Sequence, residues 1–537
     1  MRMFLVQKKG KVAALVSRQN DNGKGDGVGL QLGRLGPGSD RVSGHFLMWL
    51  KNTISFSSAN LLGQFMRVIQ ELVTRQVLAP ATMGLWNYIL VVRNFGSSLD
   101  LGITAALLRK LALLHGAQKP KEIGTYRKTA LILYLSQQAL IGLAIVVYAL
   151  FINRGTKFFW PTITGAVMLF LGGFGEILET FYIGAAKYSE LSRRLLAYWP
   201  IYTILLVVGV YVAQIPGLVI GMFCALIIRA FILRFGTKVR FSPVEHRWTN
   251  SAAKSLLAVG VPFRLVDYPM ALHQMLDVLF IVNFLGIEFL AIYSTAKVIF
   301  QQAGQLPAWF GSVIVIRLTQ EVGANQKSRK ELGNIVFSYL RFYYLVIVPT
   351  LICVVSGAAV IVFTELIPKY KDAMGPLLIL LFILYFAPYA TIIGRFWLID
   401  KRFGALLLSN MVALISLVIG LIILLVIHVL TPVSVTIVFL LSHTIYFVFL
   451  LGSLGPELWD KGKLAAIVIF VIVSMGVTLL ALKAGGLLAW KAFTPNFAAV
   501  ASACLKEMAI LTPMILYGLL PAVTPILARL RTKHKNP

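Results

Sequence analysis

The sequence is short of charge, and of acid above all. Charged residues fill 13% of its 537 positions, with 21 Asp and Glu against 50 Lys and Arg. Soluble domains carry about 25% charged residues, so the three or four soluble domains that this length would ordinarily hold are excluded. Cysteine is scarce as well. Cys224, Cys353 and Cys504 lie far apart without metal-ligand spacing, which excludes a disulfide framework and a zinc site. Ala13–Val16, the one apolar run near the start, is too short for the core of a signal peptide.

Apolar surface is abundant. Hydrophobic residues make up 58% of the chain, with 34 Phe, 19 Tyr and 9 Trp, and the mean hydropathy is +0.81. So much apolar surface has to lie in lipid or be buried, and hydrocarbon cannot satisfy free backbone groups. The apolar runs last about 20 residues rather than the ~10 alternating residues of a barrel strand. The expected class is an all-α integral membrane protein. Its formal net charge of +29 would point to nucleic acid in a soluble protein. Here the cations sit between apolar segments, where they hold loops on the anionic cytoplasmic face of a membrane, and no nucleic-acid partner is expected.

Residues 1–50, with Gly and Asp clusters and scattered Arg and Lys, read as a flexible basic cytoplasmic tail. From Asn52 onward fourteen apolar segments follow, near 53–74, 82–108, 127–151, 159–184, 190–212, 215–235, 256–283, 288–315, 333–363, 374–397, 403–428, 432–452, 463–483 and 506–528. Loop cations alternate in step with this count. Even-numbered loops hold 23, from Arg109 and Lys110 to Lys461 and Lys463, and odd-numbered loops hold 7, among them Arg75, Arg154 and Lys369. The asymmetry predicts that both termini are cytoplasmic. No outside loop is large enough to form a domain.

A weak internal echo is present. Leu78, Gly84 and Trp86, between the first two segments, align with Leu285, Ala291 and Tyr293, between the seventh and eighth. Six segments separate the copies, so both run the same way through the bilayer. The expected architecture is two pseudo-symmetric six-helix lobes, 51–240 and 250–455, with an extra helix pair and basic C-terminus at 460–537.

The stretch Arg75-Gln76-Val77-Leu78-Ala79-Pro80 with Gly84-Leu85-Trp86, then Leu99-Asp100-Leu101-Gly102 and Leu108-Arg109-Lys110, resembles the polysaccharide-exporter family. That family belongs to the multidrug/oligosaccharidyl-lipid/polysaccharide flippase superfamily and includes the O-antigen and capsule-unit flippases. Gly260-Val261-Pro262, Asp277, Phe284-Leu285-Gly286 and Ile292-Tyr293-Ser294 extend the resemblance over about 52–455. It implies a two-lobed transporter in a bacterial inner membrane. Such a transporter moves a lipid-pyrophosphate-linked oligosaccharide between leaflets by alternating access, as a monomer beside polysaccharide-assembly proteins.

Polar residues inside the segments support a wet interior. Thr53, Ser57, Asn60, Gln64, Arg67 and Glu71 form one stripe of the first segment, and Arg93, Ser97, Asp100 and Thr104 one of the second. Arg264, Asp267, Tyr268 and Gln274 share an arc of the seventh, and Ser294, Lys297, Gln301 and Gln305 a stripe of the eighth. Charge inside a span is costly unless it faces water or a partner. The stripes therefore line a shared cavity, or they are ion pairs such as Arg67 with Glu71 and Arg264 with Asp267 that fix packing. Gln64, Arg67, Arg93, Arg264, Lys297 and Gln301 are the expected substrate contacts, because guanidinium and ammonium groups suit a pyrophosphate. Lys297 has no acid at i±3 or i±4, which leaves it for a transient anion.

Asp100, Asp267, Asp277 and Glu179 are the candidates for coupling to protons or sodium. No other cofactor is expected, and no catalytic residue. Glu176 and Glu179 share a face of the fourth segment, and His273 sits one turn from Asp277. Arg229, Arg341 and Arg395 lie near enough to segment ends to snorkel. Three alternatives compete. A multidrug exporter or a peptidoglycan-precursor flippase of the same superfamily would keep the fold. A membrane glycosyltransferase or polymerase would need a large outside loop with catalytic acids, which the short outside loops oppose.

Overall fold

A computed structural model describes residues 59–533 apart from 117–118, 186, 236–246, 324–328, 388–402 and 489–496. The tail expected at 1–50, Thr53, Ser57 and Arg395 lie outside the described residues. Every regular element among those described is helical. In order they are α1 (59–77), α2 (Pro80–Ser98), α3 (Ile103–Gly116), α4 (Pro120–Ile152), α5 (Phe159–Gly184), α6 (Tyr188–Arg234), α7 (Asn250–Phe284) and α8 (Ile287–Gly323). After them come α9 (Arg329–Phe342), α10 (Val348–Ile361), α11 (Met374–Phe382), α12 (Phe403–Val426), α13 (Pro432–Leu458), α14 (Lys461–Ala484) and α15 (Phe497–Lys533).

Local chemistry sets several of the starts. Pro80, Pro120 and Pro432 occupy first-turn positions where a missing N–H costs nothing. Thr431 and Ser434 form a capping box for α13, and Asp460 caps α14. Nine helices among the described residues are long and apolar enough to cross a bilayer. Leu140, Leu143 and Phe151 on α4 and Ile419, Ile422 and Val426 on α12 are exposed, as side chains that face lipid must be. The chain is a multi-pass membrane protein.

The fifth and sixth expected segments are joined in one element, and the second takes another form. As a straight rod, the 47 residues of α6 would reach about 70 Å, more than twice the hydrocarbon thickness. Instead the chain folds back at Ala213 and Gln214, the latter with φ 49°. The bare backbones of Gly209 and Gly217 then lie against each other, so α6 holds both the fifth and sixth expected segments as antiparallel legs. The second segment is not one span. Its helix stops at Ser98 and resumes at Ile103, and Gly102 has φ +70° in the gap. The Gly102 N–H donates to Asp100 Oδ1 (3.1 Å), which stabilises the break.

Within the first half of the chain α5 packs on α2, α4 and α6. Within the second, α7 packs on α12, α12 on α13 and α11 on α8, while α15 packs on α10 and α14. The halves meet along two seams, α2 with α8 and α3 with α7. At the cation-poor end Gly84 lies against the Ile287 backbone, where a Cβ would come within 2.2 Å of the carbonyl oxygen. The two echoing stretches therefore touch. Asn87 donates to Ser294 Oγ (2.5 Å) and Arg75 Nε to Thr295 Oγ1 (2.9 Å) along the same seam. At the cation-rich end Gly102 meets Gly260, with a Cβ position 2.4 Å from the Gly260 oxygen.

Candidate functional site

The polar residues of the first half converge around Arg67. Its guanidinium carbon lies 4.4 Å from the centroid of the Trp199 ring, and Trp199 is only 9% exposed. A cation on the face of a buried ring points into the bundle rather than toward lipid. Arg67 is nonetheless exposed in part to the surroundings of the bundle. Tyr198, Trp199 and Tyr202 occupy positions i, i+1 and i+4 of α6 and form an aromatic floor beneath it. No described carboxylate lies within ion-pair distance of Arg67. One turn away on α1, the Gln64 Oε1 atom is buried without a hydrogen-bond donor among the described residues.

Two more arginines approach from neighbouring helices. Arg229, on the second leg of α6, donates through Nε (3.1 Å) and Nη2 (2.6 Å) to Glu179 Oε1. Arg93 on α2 stands 3.9 Å from Glu176, whose other oxygen accepts the Tyr134 hydroxyl at 2.7 Å. Both guanidinium groups fit because α5 presents Gly172 and Gly175 there. A Cβ at Gly172 would lie 3.2 Å from Arg93 Nη2, and one at Gly175 would lie 3.0 Å from Arg229 Cδ. Among the described residues three arginines stand against two glutamates, and the one without a carboxylate partner is Arg67.

The network continues to the α2–α3 break. Arg264 on α7 places Nε 2.8 Å from Asp100 Oδ1 and donates through Nη2 to Ser98 O at 2.7 Å. The Tyr268 hydroxyl donates to Asp100 O (2.7 Å) and Leu99 O (3.3 Å). Gln137 accepts the Leu101 N–H. Carbonyls that a continuous helix would have satisfied internally are thus capped by the second half of the chain.

Several expected partners are replaced. Glu71 pairs with Arg75, not Arg67. Arg264 takes Asp100 rather than Asp267, and Asp267 lies near Tyr446. Arg229 binds Glu179 instead of snorkelling. Lys297 is not a waiting cation. Its Nζ donates to Asp277 Oδ1 (2.8 Å) and Oδ2 (2.7 Å) and to Gln274 O (2.6 Å), and its side chain is 9% exposed. For all but Glu71, whose partner stands four residues further along α1, the physical reason is the same: neighbouring helices supply partners that spacing along one helix cannot reveal. Gln301 is exposed.

Four contributors escaped the sequence reading. Tyr198, Trp199, Tyr202 and Tyr134 look like ordinary membrane aromatics. An aromatic triplet at i, i+1, i+4 opposite a charged stripe is the signal that could have found the floor. Among the described residues no three His, Cys, Asp or Glu side chains assemble as metal ligands.

Neither a protein-family profile nor a curated protein matches the chain in sequence. Its fold does match solved structures. The lipid II flippase MurJ in an inward closed conformation superposes with a TM-score of 0.60 at 13% identity, covering 88% of this chain and 100% of MurJ. An inward-facing multidrug resistance MATE family transporter of the MOP superfamily gives 0.61 at 13%, covering 77% and 98%. The eukaryotic MATE transporter AtDTX14 gives 0.57 at 13%, covering 79% and 99%. At such identities the likeness establishes the fold alone, the one these solved transporters share.

Proposed function

We propose that this chain is an alternating-access flippase for a lipid-pyrophosphate-linked oligosaccharide, serving cell-surface polysaccharide synthesis in a bacterial cytoplasmic membrane. In this reading fourteen spans form two six-helix lobes and a C-terminal pair, both termini are cytoplasmic, and the protein works as a monomer beside assembly proteins. The observation that carries it is the unpaired Arg67 over Trp199, with Arg93 and Arg229 close by. A guanidinium without a carboxylate partner attracts an anionic headgroup and repels the cationic compounds that a multidrug exporter would carry. Arg67 supplies two parallel N–H donors for a phosphate, Arg93 adds charge, Gln64 orients, and the aromatic floor accommodates a sugar face. Arg264, Lys297 and Gln301 join the path when the second lobe moves. Asp100, Asp267 and Glu179 remain candidates for coupling.

A peptidoglycan-precursor flippase is the second reading. MurJ covers 88% of the chain where the multidrug transporters cover 77–79%, so the shared architecture extends further with a lipid flippase. Both readings share the pyrophosphate.

Vesicles containing the purified protein and a fluorescent polyprenyl-pyrophosphate oligosaccharide test the proposal. Protein-dependent loss of label accessible to an impermeant quencher is expected for wild type, and none for Arg67→Ala. Equal rates for the variant, or transport of an organic cation in place of the lipid, would overturn the reading. Preference for lipid II over other glycans would select the second.

A further inference from the structure

Helices α7, α8 and α13 bury a second polar cluster. Asp277 and His273 are 0% exposed and Ser442 1%. All three Lys297 ammonium protons are engaged, two by Asp277 and one by Gln274 O. Asp277 also accepts the Tyr293 hydroxyl and the Val278 N–H. The Lys297–Asp277 pair is therefore saturated, with the Phe439 ring 5.2 Å from the ammonium.

Beside it stand two imidazoles whose donors are already committed. His273 stacks on Phe439 at 5.0 Å and meets His443 edge-on at 4.7 Å. The Ser442 hydroxyl donates to Phe439 O at 2.7 Å, so its oxygen is free to accept from His273 Nε2, also at 2.7 Å. That assigns the His273 proton to Nε2. Its Nδ1 is buried with no partner among the described residues. His443 Nδ1 lies 2.9 Å from the same carbonyl oxygen, which can only accept, so His443 carries its proton on Nδ1. With those donors assigned, a neutral ring keeps one unprotonated nitrogen, Nδ1 in His273 and Nε2 in His443. The titratable groups facing them are Asp277 from α7, Lys297 and Tyr293 from α8, and each other across α7 and α13. Asp267 and Tyr446 lie beyond, toward Asn410 on α12.

We propose that His273 and His443 form a proton-binding site whose occupation loosens Lys297 from Asp277. One proton enters and bonds to either open nitrogen, and no other bond changes. The imidazolium then shares Asp277 with an ammonium in a poorly hydrated site, where two cations repel and compete for one carboxylate. Lys297 is the member with a long flexible stem and three rotatable donors, so it is the one that leaves, available to an anion. Its use in transport rests on the flippase reading; the proton site itself stands on the cluster's geometry.

Nitrogen NMR of the ligand-free protein, with ¹⁵N-labelled histidine, tests the site directly. His273 and His443 should change together from the neutral to the imidazolium pattern as pH falls, and His443→Asn should move the His273 midpoint. Independent titration of the two rings, or none between pH 4 and 8, would overturn the site. In vesicles, the wild-type rate should fall about tenfold per pH unit above the titration midpoint. His273→Asn and His443→Asn should flatten that dependence to less than about twofold across the range. A steep profile in both variants would overturn the coupling while leaving the NMR result standing. Absence of lipid transport by wild type would count against the flippase reading, and the NMR arm would still decide the proton site.

Discussion

Arg264 on α7 reaches across the cation-rich seam to Asp100, in the break between α2 and α3, with Nε 2.8 Å from Oδ1. Neither residue has its counter-ion on its own helix, so this pair binds the two halves of the chain together. Arg264→Ala leaves Asp100 half-buried and unpaired and should cost about 1–3 kcal/mol. Adding Asp100→Asn removes the orphaned charge and should recover most of the loss, read as melting temperature in detergent.

Arg67 and Arg229 should separate binding from folding. Arg67→Ala gives up a cation–π contact of about 0.5–1 kcal/mol and strands no acid, so protein level and melting temperature should hardly change. Arg229→Ala strands Glu179 and should lower stability by about 2 kcal/mol. Both should weaken affinity for a polyprenyl pyrophosphate in a titration. Normal affinity in Arg67→Ala would remove Arg67 from the site.

The glycine contacts should control which end of the molecule opens. A methyl group at Gly84 collides with the Ile287 backbone and one at Gly102 with Gly260. Gly84→Ala should part the cation-poor seam and Gly102→Ala the cation-rich one, the latter also straining a backbone at φ +70°. Spin-label distances between positions 154 and 371, and between 121 and 254, should lengthen selectively. Equal lengthening of both pairs in either variant would show general loosening instead.

Sidedness follows from the loop cations. In a variant without Cys224, Cys353 and Cys504, cysteines at Gly155 and Lys371 should react with an impermeant thiol reagent in intact cells. One at Lys121 should not react. All three native positions are exposed, so access depends on topology alone. Reaction at 121 from outside would invert the model of both termini.

Glu507 on α15 is 0% exposed, and neither carboxyl oxygen meets a nitrogen or oxygen donor among the described residues. Cys353 lies beside it. A charge would be costly there, so Glu507→Gln should match or exceed wild-type melting temperature. A large loss would reveal a cation bound by the carboxylate.

Helix placement was legible because twenty apolar residues in a row leave the backbone one solution in lipid. The break at 99–102 was not, since Leu99 and Leu101 keep hydropathy high across it and only Gly102 marks the turn. Arg67 was legible as a candidate because its stripe of polar neighbours repeats at helical spacing. Lys297, singled out by the same kind of stripe, was misread. Spacing along α8 reveals no acid, but Asp277 stands on α7, 20 positions earlier in sequence. Single-helix periodicity identifies which face is polar; helix packing decides which charges are left over.

The break also ties motion to water. When the cation-rich seam parts, Ser98, Leu99 and Asp100 lose the donors that Arg264 and Tyr268 provide to their carbonyls, and the helix cannot take them back while Gly102 holds its turn. Buried carbonyls need partners, so each opening must draw in several solvent molecules and each closure must expel them. Solutes too large to enter the gap lower the activity of that water, and osmotic stress will therefore press the protein toward its closed form.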